Sequence, residues 1–237
     1  MSGHSKWSKI KHQKAAADQK KGKLFSKLSR QITIAAREGA DPATNFKLRL
    51  AIDQAKQAEM PKDNIERAIQ KAQGAGSGQL EQITYEGFGP FGTAFIIEAA
   101  TDSKNRTTAN IRHILEKHGG SMGQPNSVLW NFETKGQILV EKGNYNLQDL
   151  ELMAIDAGAE DVRSSEEGLE IYTNPIDLHN VKQALEKNGV NIASAEIIME
   201  AKTGIDLDET QKKKVQELLN ELTEEEDVIA VHTNANL

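Results

Sequence analysis

The chain has 237 residues, of which 38% are hydrophobic and 27% charged, the balance of an ordinary globular protein that buries a core. It has no cysteine and only six scattered histidines, which excludes disulfides and thiolate metal sites and leaves little for zinc, so neither a metal nor another cofactor is expected. No apolar run reaches the roughly 18 residues of a membrane span and no apolar segment follows the basic start, so we expect a cytoplasmic protein without membrane contact.

Charge is distributed unevenly along the chain, whose net charge is −6. Residues 1–30 contain nine lysine and arginine side chains but a single acidic residue, Asp18, which gives this segment +8 and leaves −14 for the remainder. Such an asymmetry predicts a basic element that binds a polyanion, joined to an acidic and solubilising body.

The first part of the chain is predicted to be helical, because apolar residues recur at helical spacing in three successive groups. The first group is Leu24, Phe25, Leu28 and Ile32. Asp41 offers an N-cap for the second helix, and Pro61 starts the third. Three glycines within residues 74–78 are typical of a flexible linker. We therefore predict a basic helical bundle over residues 1–78.

Strands and helices alternate after the linker. The patterns predict strands at 82–88 and 93–101, a helix at 104–117, a strand at 127–132, and, near the end of the chain, a helix at 208–222 and a strand at 227–233. Between residues 136 and 201 the predicted order is strand, helix, two strands, helix, strand. This βαββαβ order is the ferredoxin-like signature.

These elements predict an α+β multidomain protein, in which a small N-terminal helical bundle precedes two α/β ferredoxin-like domains, one inserted in the other. The discontinuous domain would comprise residues 79–134 and 204–237, and the inserted βαββαβ domain residues 135–203.

Familiar catalytic motifs are absent from the sequence. Gly87–Gly92 matches G-x-G-x-x-G, but a strand follows instead of the helix whose N-terminus would receive a pyrophosphate, so a hairpin turn is the better interpretation. There is no G-x-S-x-G and no H-E-x-x-H, and no cysteine nucleophile. The acidic run Glu224–Asp227 is typical of a solvated loop. We expect a protein that is not an enzyme.

The basic N-terminal arm is the segment that suggests a function. Its cations cannot share one helical face, so they would surround one end of the bundle with positive charge and bind phosphates. Trp7 could stack on a base or ribose, although it could equally pack on the bundle, with the lysines solvating a frayed end. The predicted nucleic-acid-binding residues are Lys6, Trp7, Lys9, Lys11, His12, Lys14, Lys20, Lys21, Lys23, Lys27 and Arg30.

A second candidate anion site lies at the start of the helix predicted at 104–117. Asp102 or Ser103 would cap this helix, and the positive end of its dipole would face an anion. The alternative is an ordinary cap with solvated cations. The candidate residues are Asn105, Arg106, Arg112 and Lys117.

Several motifs occur in one order along the chain: Gly3-His4-Ser5-Lys6-Trp7, Phe25-Ser26-Lys27-Leu28, residues 60–69, residues 85–90, Asn105-Arg106-Thr107, Lys117-His118-Gly119-Gly120 and Glu226-Asp227-Val228. Together they make the chain resemble the YebC/PmpR family nearly from end to end. The family's fold, a helical bundle followed by two α/β domains with one inserted in the other, is similar to the one predicted above. The chain departs from the family pattern at Ser103, where asparagine is usual, and at Phe88 and Phe91.

The resemblance implies a regulator of gene expression. Bacterial members are described as DNA-binding transcriptional regulators and others as translation factors at the ribosome, including at proline-rich stalls; mitochondrial members activate the translation of cytochrome oxidase. We therefore expect a monomeric, non-enzymatic protein that binds DNA or RNA, with the ribosome as a further candidate partner. The scarcity of arginine in the arm favours RNA over sequence-specific duplex reading. The residues leave open a protein-protein adaptor whose arm binds an acidic partner.

Overall fold

The computed structural model describes residues 18–74, 80–143, 146–164 and 168–237, and the side chains from residue 21 onward within these ranges. The described chain forms two compact units. The first, which we call the discontinuous unit, runs to Asn131 and resumes at Thr203–Asn236, and the second, the inserted unit, is Phe132–Lys202. Among the described residues there are seven α-helices, and the sheets are mainly antiparallel. The predicted α+β class, with N-terminal helices before the α/β parts, is confirmed.

The discontinuous unit begins with three helices, which are α1 (Asp18–Ala36), α2 (Phe46–Gln57) and α3 (Lys62–Gln73). Their shared core contains the residues that recur at helical spacing, with Leu28 and Ile32 of α1 buried. The N-cap of α2 is Asn45, which corrects the prediction of Asp41. The Asn45 side chain accepts from the Leu48 N–H and also donates to carbonyls at the end of α1, so one amide serves two helix ends.

A sheet follows the helices in the same unit. Strands β1 (Glu81–Phe88) and β2 (Ala94–Thr101) form an antiparallel hairpin around a short 3₁₀ turn at Pro90–Gly92, as predicted for the glycine-rich segment. Helix α4 (Lys104–Lys117) and the short strand β3 (Ser121–Met122) come next. The bounds of α4 are those predicted from the sequence.

The strand predicted at residues 127–132 is wrong. This segment contains a 3₁₀ turn at Leu129–Asn131 instead, and the next strand begins only at Phe132. The reason lies in β1, where the buried carboxylate of Glu86 accepts the backbone N–H groups of Asn126, Val128 and Leu129 at 2.5, 2.7 and 2.8 Å. These bonds curl the backbone around the carboxylate and leave these N–H groups unable to pair in a ladder.

The inserted unit has the predicted βαββαβ order. Its elements are β4 (Phe132–Glu141), α5 (Leu147–Asp156), β5 (Asp161–Ser164), β6 (Gly168–Thr173), α6 (Leu178–Lys187) and β7 (Ile192–Ala201). The strands pair antiparallel in the order β5-β6-β4-β7, which is the ferredoxin-like arrangement. Helix α6 packs closely on the sheet at Gly136, where a Cβ atom would overlap the Leu178 side chain.

The chain then returns to the discontinuous unit. It forms β8 (Ile205–Asp206), α7 (Glu209–Glu224), β9 (Val228–Thr233) and β10 (Ala235–Asn236). Strand β9 pairs with β2, which gives a sheet in the order β3-β1-β2-β9. Asp208 starts α7 in a capping box with Gln211. In the described ranges, no helix has the length and apolar character needed to cross a membrane.

Candidate nucleic-acid interface

The predicted arm falls only partly within the described chain. Lys6, Trp7, Lys9, Lys11, His12 and Lys14 lie outside the described residues, and for Lys20 only the helical backbone is described. The remaining four cations, Lys21, Lys23, Lys27 and Arg30, lie on α1, whose apolar side packs into the helical core.

The first two of these cations form exposed ion pairs. The Lys21 ammonium is 3.2 Å from the Glu59 carboxylate, and that of Lys23 is 3.5 Å from Glu224 at the end of α7. All four side chains are well exposed, so each pair contributes little to stability and water or a phosphate can replace the partner.

Lys27 and Arg30, one helical turn further along α1, are directed at the rest of the discontinuous unit. The Lys27 ammonium donates to the Thr223 carbonyl oxygen. Burial lowers the pKa of Lys27 to about 8, although the nearby carboxylates of Glu225 and Glu224 act in the opposite direction. The Arg30 side chain is 19% exposed, and its guanidinium donates to Asp227 at 2.5 Å and to Glu226 at 3.0 Å.

The side chain of Asp227 is only 2% exposed and accepts hydrogen bonds from several neighbouring residues. Besides Arg30, it accepts hydrogen bonds from Arg106 at 2.9 Å and from the hydroxyls of Thr107 and Thr101 at 2.6 and 3.2 Å. Burial alone would raise the pKa of Asp227, but the bonds from Thr107 and Arg106 and the charge of Arg30 outweigh it and lower this pKa. We call Asp227 with Arg30 and Arg106 the Asp227 clamp. It joins α1, α4 and the start of β9.

The acidic run Glu224–Asp227 was predicted to be a solvated loop, and for Asp227 this prediction is wrong. The chain turns into β9 directly after Asp227, and the turn places this carboxylate beneath α4 and α1, where two guanidinium groups and two hydroxyls pair with it. The sequence contains one signal of this role, because Glu226-Asp227-Val228 is among the motifs shared with the YebC/PmpR family. Charge patterning alone did not distinguish it from its exposed neighbours.

The second predicted anion site is largely occupied by the protein's own carboxylates. Arg106 pairs with Asp102 as well as with Asp227, and these hydrogen bonds raise its pKa. Lys117 contacts both oxygens of Glu221 at 2.8 and 2.9 Å. The other two candidate residues, Asn105 and Arg112, are exposed on α4.

Sequence reasoning missed the site around Glu86 altogether. Three backbone N–H groups converge on this carboxylate in an arrangement that resembles an anion-binding nest, but the chain supplies its own anion. The site is therefore a structural device that holds the loop before the inserted unit. Within the ranges that the structure describes, no group of three or more His, Asp or Glu side chains is placed to hold a metal ion.

Comparison with known proteins finds relatives that match the chain over nearly its whole length. The model of the TACO1/YebC N-terminal domain matches residues 5–75, and that of the TACO1/YebC second and third domain matches residues 80–235. Proteins named "probable transcriptional regulatory protein" from Thermoanaerobacter pseudethanolicus and Desulfosudis oleivorans are 48% and 50% identical over all of this chain and over 98% and 97% of their own lengths.

A solved structure agrees with this relationship. The crystal structure of a conserved hypothetical protein from Aquifex aeolicus is 45% identical, with a TM-score of 0.85 over 93% of this chain and 92% of that one. Both the two matching domain models and the near-complete coverage of the relatives support one assignment. The chain belongs to the TACO1/YebC family.

Proposed function

We propose that this chain is a non-enzymatic regulator of gene expression that binds nucleic acid through its basic N-terminal arm. The observation that carries the proposal is the charge separation, +8 in residues 1–30 against −14 in the rest of the chain. The names of the relatives, probable transcriptional regulatory proteins, support a regulatory role. We also propose that the protein acts as a monomer in the cytoplasm.

The contacts of α1 suggest which of its cations stabilise the fold and which are free to contact phosphate. Lys27 and Arg30 are half-buried against Thr223 and Asp227, where they hold the helix in place. Lys21 and Lys23 pair only with exposed carboxylates. We therefore assign most of the phosphate contacts to the cations between Lys6 and Lys20, and a minor share to the exposed pairs. In the second anion site, Asn105 and Arg112 remain as candidate phosphate contacts.

RNA is the nucleic acid that these residues favour. Sequence-specific duplex readers present arginine, asparagine or glutamine to base edges, whereas only Arg30 among the first 30 residues could make a bidentate guanine contact. Arg30 is committed to Asp227 and Glu226. Lysine point charges suit the backbone and shape of an irregular RNA, and the acidic remainder of the chain suits a protein surface of the ribosome.

The proposal is tested by the salt dependence of binding to a labelled structured RNA, measured by fluorescence anisotropy. About six lysine-phosphate contacts predict a slope of log affinity against log salt of roughly −4 to −5. Two variants with equal loss of charge then locate the contacts: Lys9, Lys11 and Lys14 to Gln in one, and Lys21, Lys23 and Lys27 to Gln in the other. The first should make the slope shallower by about 2 to 3, at 0.7 to 0.9 per lost contact, and the second by less than about 1.

Four outcomes would contradict parts of this proposal. A wild-type slope near zero would contradict binding through lysine-phosphate contacts. Equal effects of the two variants would contradict the assignment of most phosphate contacts to the cations between Lys6 and Lys20. A promoter-sized duplex bound at least about tenfold better than a scrambled duplex, without salt-sensitive co-sedimentation with ribosomes, would favour transcription over translation. A partner protein retained after nuclease treatment would favour the adaptor alternative.

A further inference from the structure

The outer surface of the inserted unit has an apolar groove between its two helices. On α5 the groove is lined by Leu152, Met153 and Ala157, and on α6 by Ala184. Leu152 is 61% exposed, and Ile155, one turn further along α5, is 51% exposed. Large apolar side chains exposed next to one another on one helix are a common mark of an interaction surface, whereas single ones are ordinary.

Two carboxylates are among the residues that line this groove. Asp149 and Asp156 line it, seven residues apart on α5 and therefore on the same side of the helix, and Glu151 lies on the same element. Helix α5 contains no lysine, arginine or histidine. Within the described part of the chain, none of these three carboxylates forms an ion pair, which sets the groove apart from the paired charges around Asp227.

The end of α5 adds further negative potential, because Asp156 is its last residue and its last turn has no basic side chain. The end of α6 differs, since Lys187 precedes the C-cap Asn188, which also lines the groove. The carboxyl end of a helix carries partial negative charge from its free carbonyl groups, which favours a cation nearby. The groove thus combines an apolar floor with an anionic rim, and the inserted unit as a whole has 14 acidic and 6 basic side chains.

We propose that this groove binds a basic amphipathic segment of a partner protein, with apolar residues that pack against Leu152 and Met153 and with lysine or arginine side chains that pair with Asp149 and Asp156. Charge complementarity selects this occupant, since an acidic or purely apolar segment would leave the carboxylates unpaired or desolvated. A short helix is the form in which such a segment would present apolar anchors three or four residues apart to a groove between two helices.

The test uses the full-length protein and a fluorescein-labelled synthetic helix with leucine on one face and lysine on the other. A matched peptide with glutamate in place of lysine is the ligand control. The double variant Leu152→Ser, Ile155→Ser removes the exposed leucine that lines the groove and the exposed isoleucine next to it on α5. The variant Ile176→Ser, at a position 83% exposed in the same unit, is its control. The variant Asp149→Asn, Asp156→Asn removes the rim charges, and Glu116→Gln, Glu217→Gln in the other unit removes the same charge elsewhere.

The lysine peptide should bind the wild-type protein and both control variants with affinities within about twofold of each other. Binding should weaken by about tenfold or more in each groove variant, because a few central anchors and their paired charges carry most of the affinity of such contacts. Hydrogen exchange should slow in α5 and α6 when the peptide is bound. Circular dichroism of the variants checks that the exposed substitutions leave the fold intact.

The proposal is overturned if the glutamate peptide binds as well as the lysine peptide, if no binding is detected, or if the groove and control variants behave alike. It is also overturned if sedimentation equilibrium reveals a dimer that the Leu152→Ser, Ile155→Ser variant abolishes, since the groove would then belong to a second copy of the chain. The variant Lys9, Lys11, Lys14 to Gln should keep its peptide affinity, so this inference and the nucleic-acid proposal can fail separately.

Discussion

The substitution Asp227→Asn tests the Asp227 clamp at its centre. It keeps the size of the side chain but removes the charge that Arg30 and Arg106 share, and it places an amide N–H₂ where donors from Thr107 and Thr101 now point. Arg30 is left with Glu226 as its acidic partner. The variant therefore removes one partner of a buried ion pair and leaves the other partner without this counterion, which destabilises a protein more than replacing both partners.

The magnitude follows from the exposure of each partner. Removing one partner of a fully buried pair costs about 3–5 kcal/mol. Asp227 is 2% exposed and Arg30 19%, but Arg30 keeps another carboxylate and water can solvate the half-exposed Arg106. We therefore expect Asp227→Asn to lower the free energy of unfolding by about 2–3 kcal/mol. The adjacent substitution Glu226→Gln, at a side chain 74% exposed, should cost about 0–1 kcal/mol.

Urea unfolding followed by circular dichroism measures both variants, and hydrogen exchange reports where the opening occurs. Exchange should accelerate in α1 and β9 and remain unchanged in the inserted unit. Equal costs for Asp227→Asn and Glu226→Gln, or a cost of Asp227→Asn below about 0.5 kcal/mol, would refute the reasoning, because the buried carboxylate would then be no more important than a surface charge.

The stability difference between the wild type and Asp227→Asn should also depend on pH in a defined direction. The pKa of Asp227 is lowered in the folded protein, so its contribution is fully present above the unfolded value of about 3.9 and is lost as the pH falls through the folded value. The difference in stability between the wild type and Asp227→Asn should therefore be constant near neutral pH. It should shrink once the pH is well below about 4, where the wild-type side chain is protonated.

Two further predictions concern single residues. The Lys27 ammonium should titrate near pH 8 by NMR, whereas the same lysine in the unfolded chain keeps its proton up to about pH 10.4. The free energy of unfolding should therefore rise between these two pH values in the wild type but not in Lys27→Met. A Lys27 titration above pH 10 would contradict its burial. Replacing Glu86 with Gln should cost about 2–3 kcal/mol and accelerate amide exchange at Val128 and Leu129, since an amide presents an N–H₂ to N–H donors; unchanged exchange at these two amides would show that the carboxylate does not hold the loop.

Periodicity and end signals in the sequence were enough to predict most elements of the fold. The helical spacing around Leu28 and Ile32 located the buried side of α1, and the approximate bounds predicted for α4 agree with those observed. The βαββαβ order of the inserted unit followed from alternating strand and helix patterns alone. These features depend on neighbours within a few residues, so local sequence is sufficient to specify them.

The errors share a different physical cause. The segment 127–132 has the composition of a strand, but its N–H groups bind Glu86, which lies about 40 residues earlier in the chain. The N-cap of α2 is Asn45 instead of Asp41 because the end of α1 comes close enough to use the other half of its amide. In both cases a polar group forms hydrogen bonds with a partner that the local sequence does not reveal.

The sequence by itself determined the charge separation between the arm and the rest of the chain, because charge is a sum over residues that packing does not alter. Only the tertiary structure decided which cations the protein keeps for itself. Arg30 and Arg106 were assigned to two separate anion sites, yet both bind Asp227, from which they are 197 and 121 residues distant along the chain. Such pairings arise when packed helices and strands bring buried charges together, since a buried carboxylate must find its counterions within the fold.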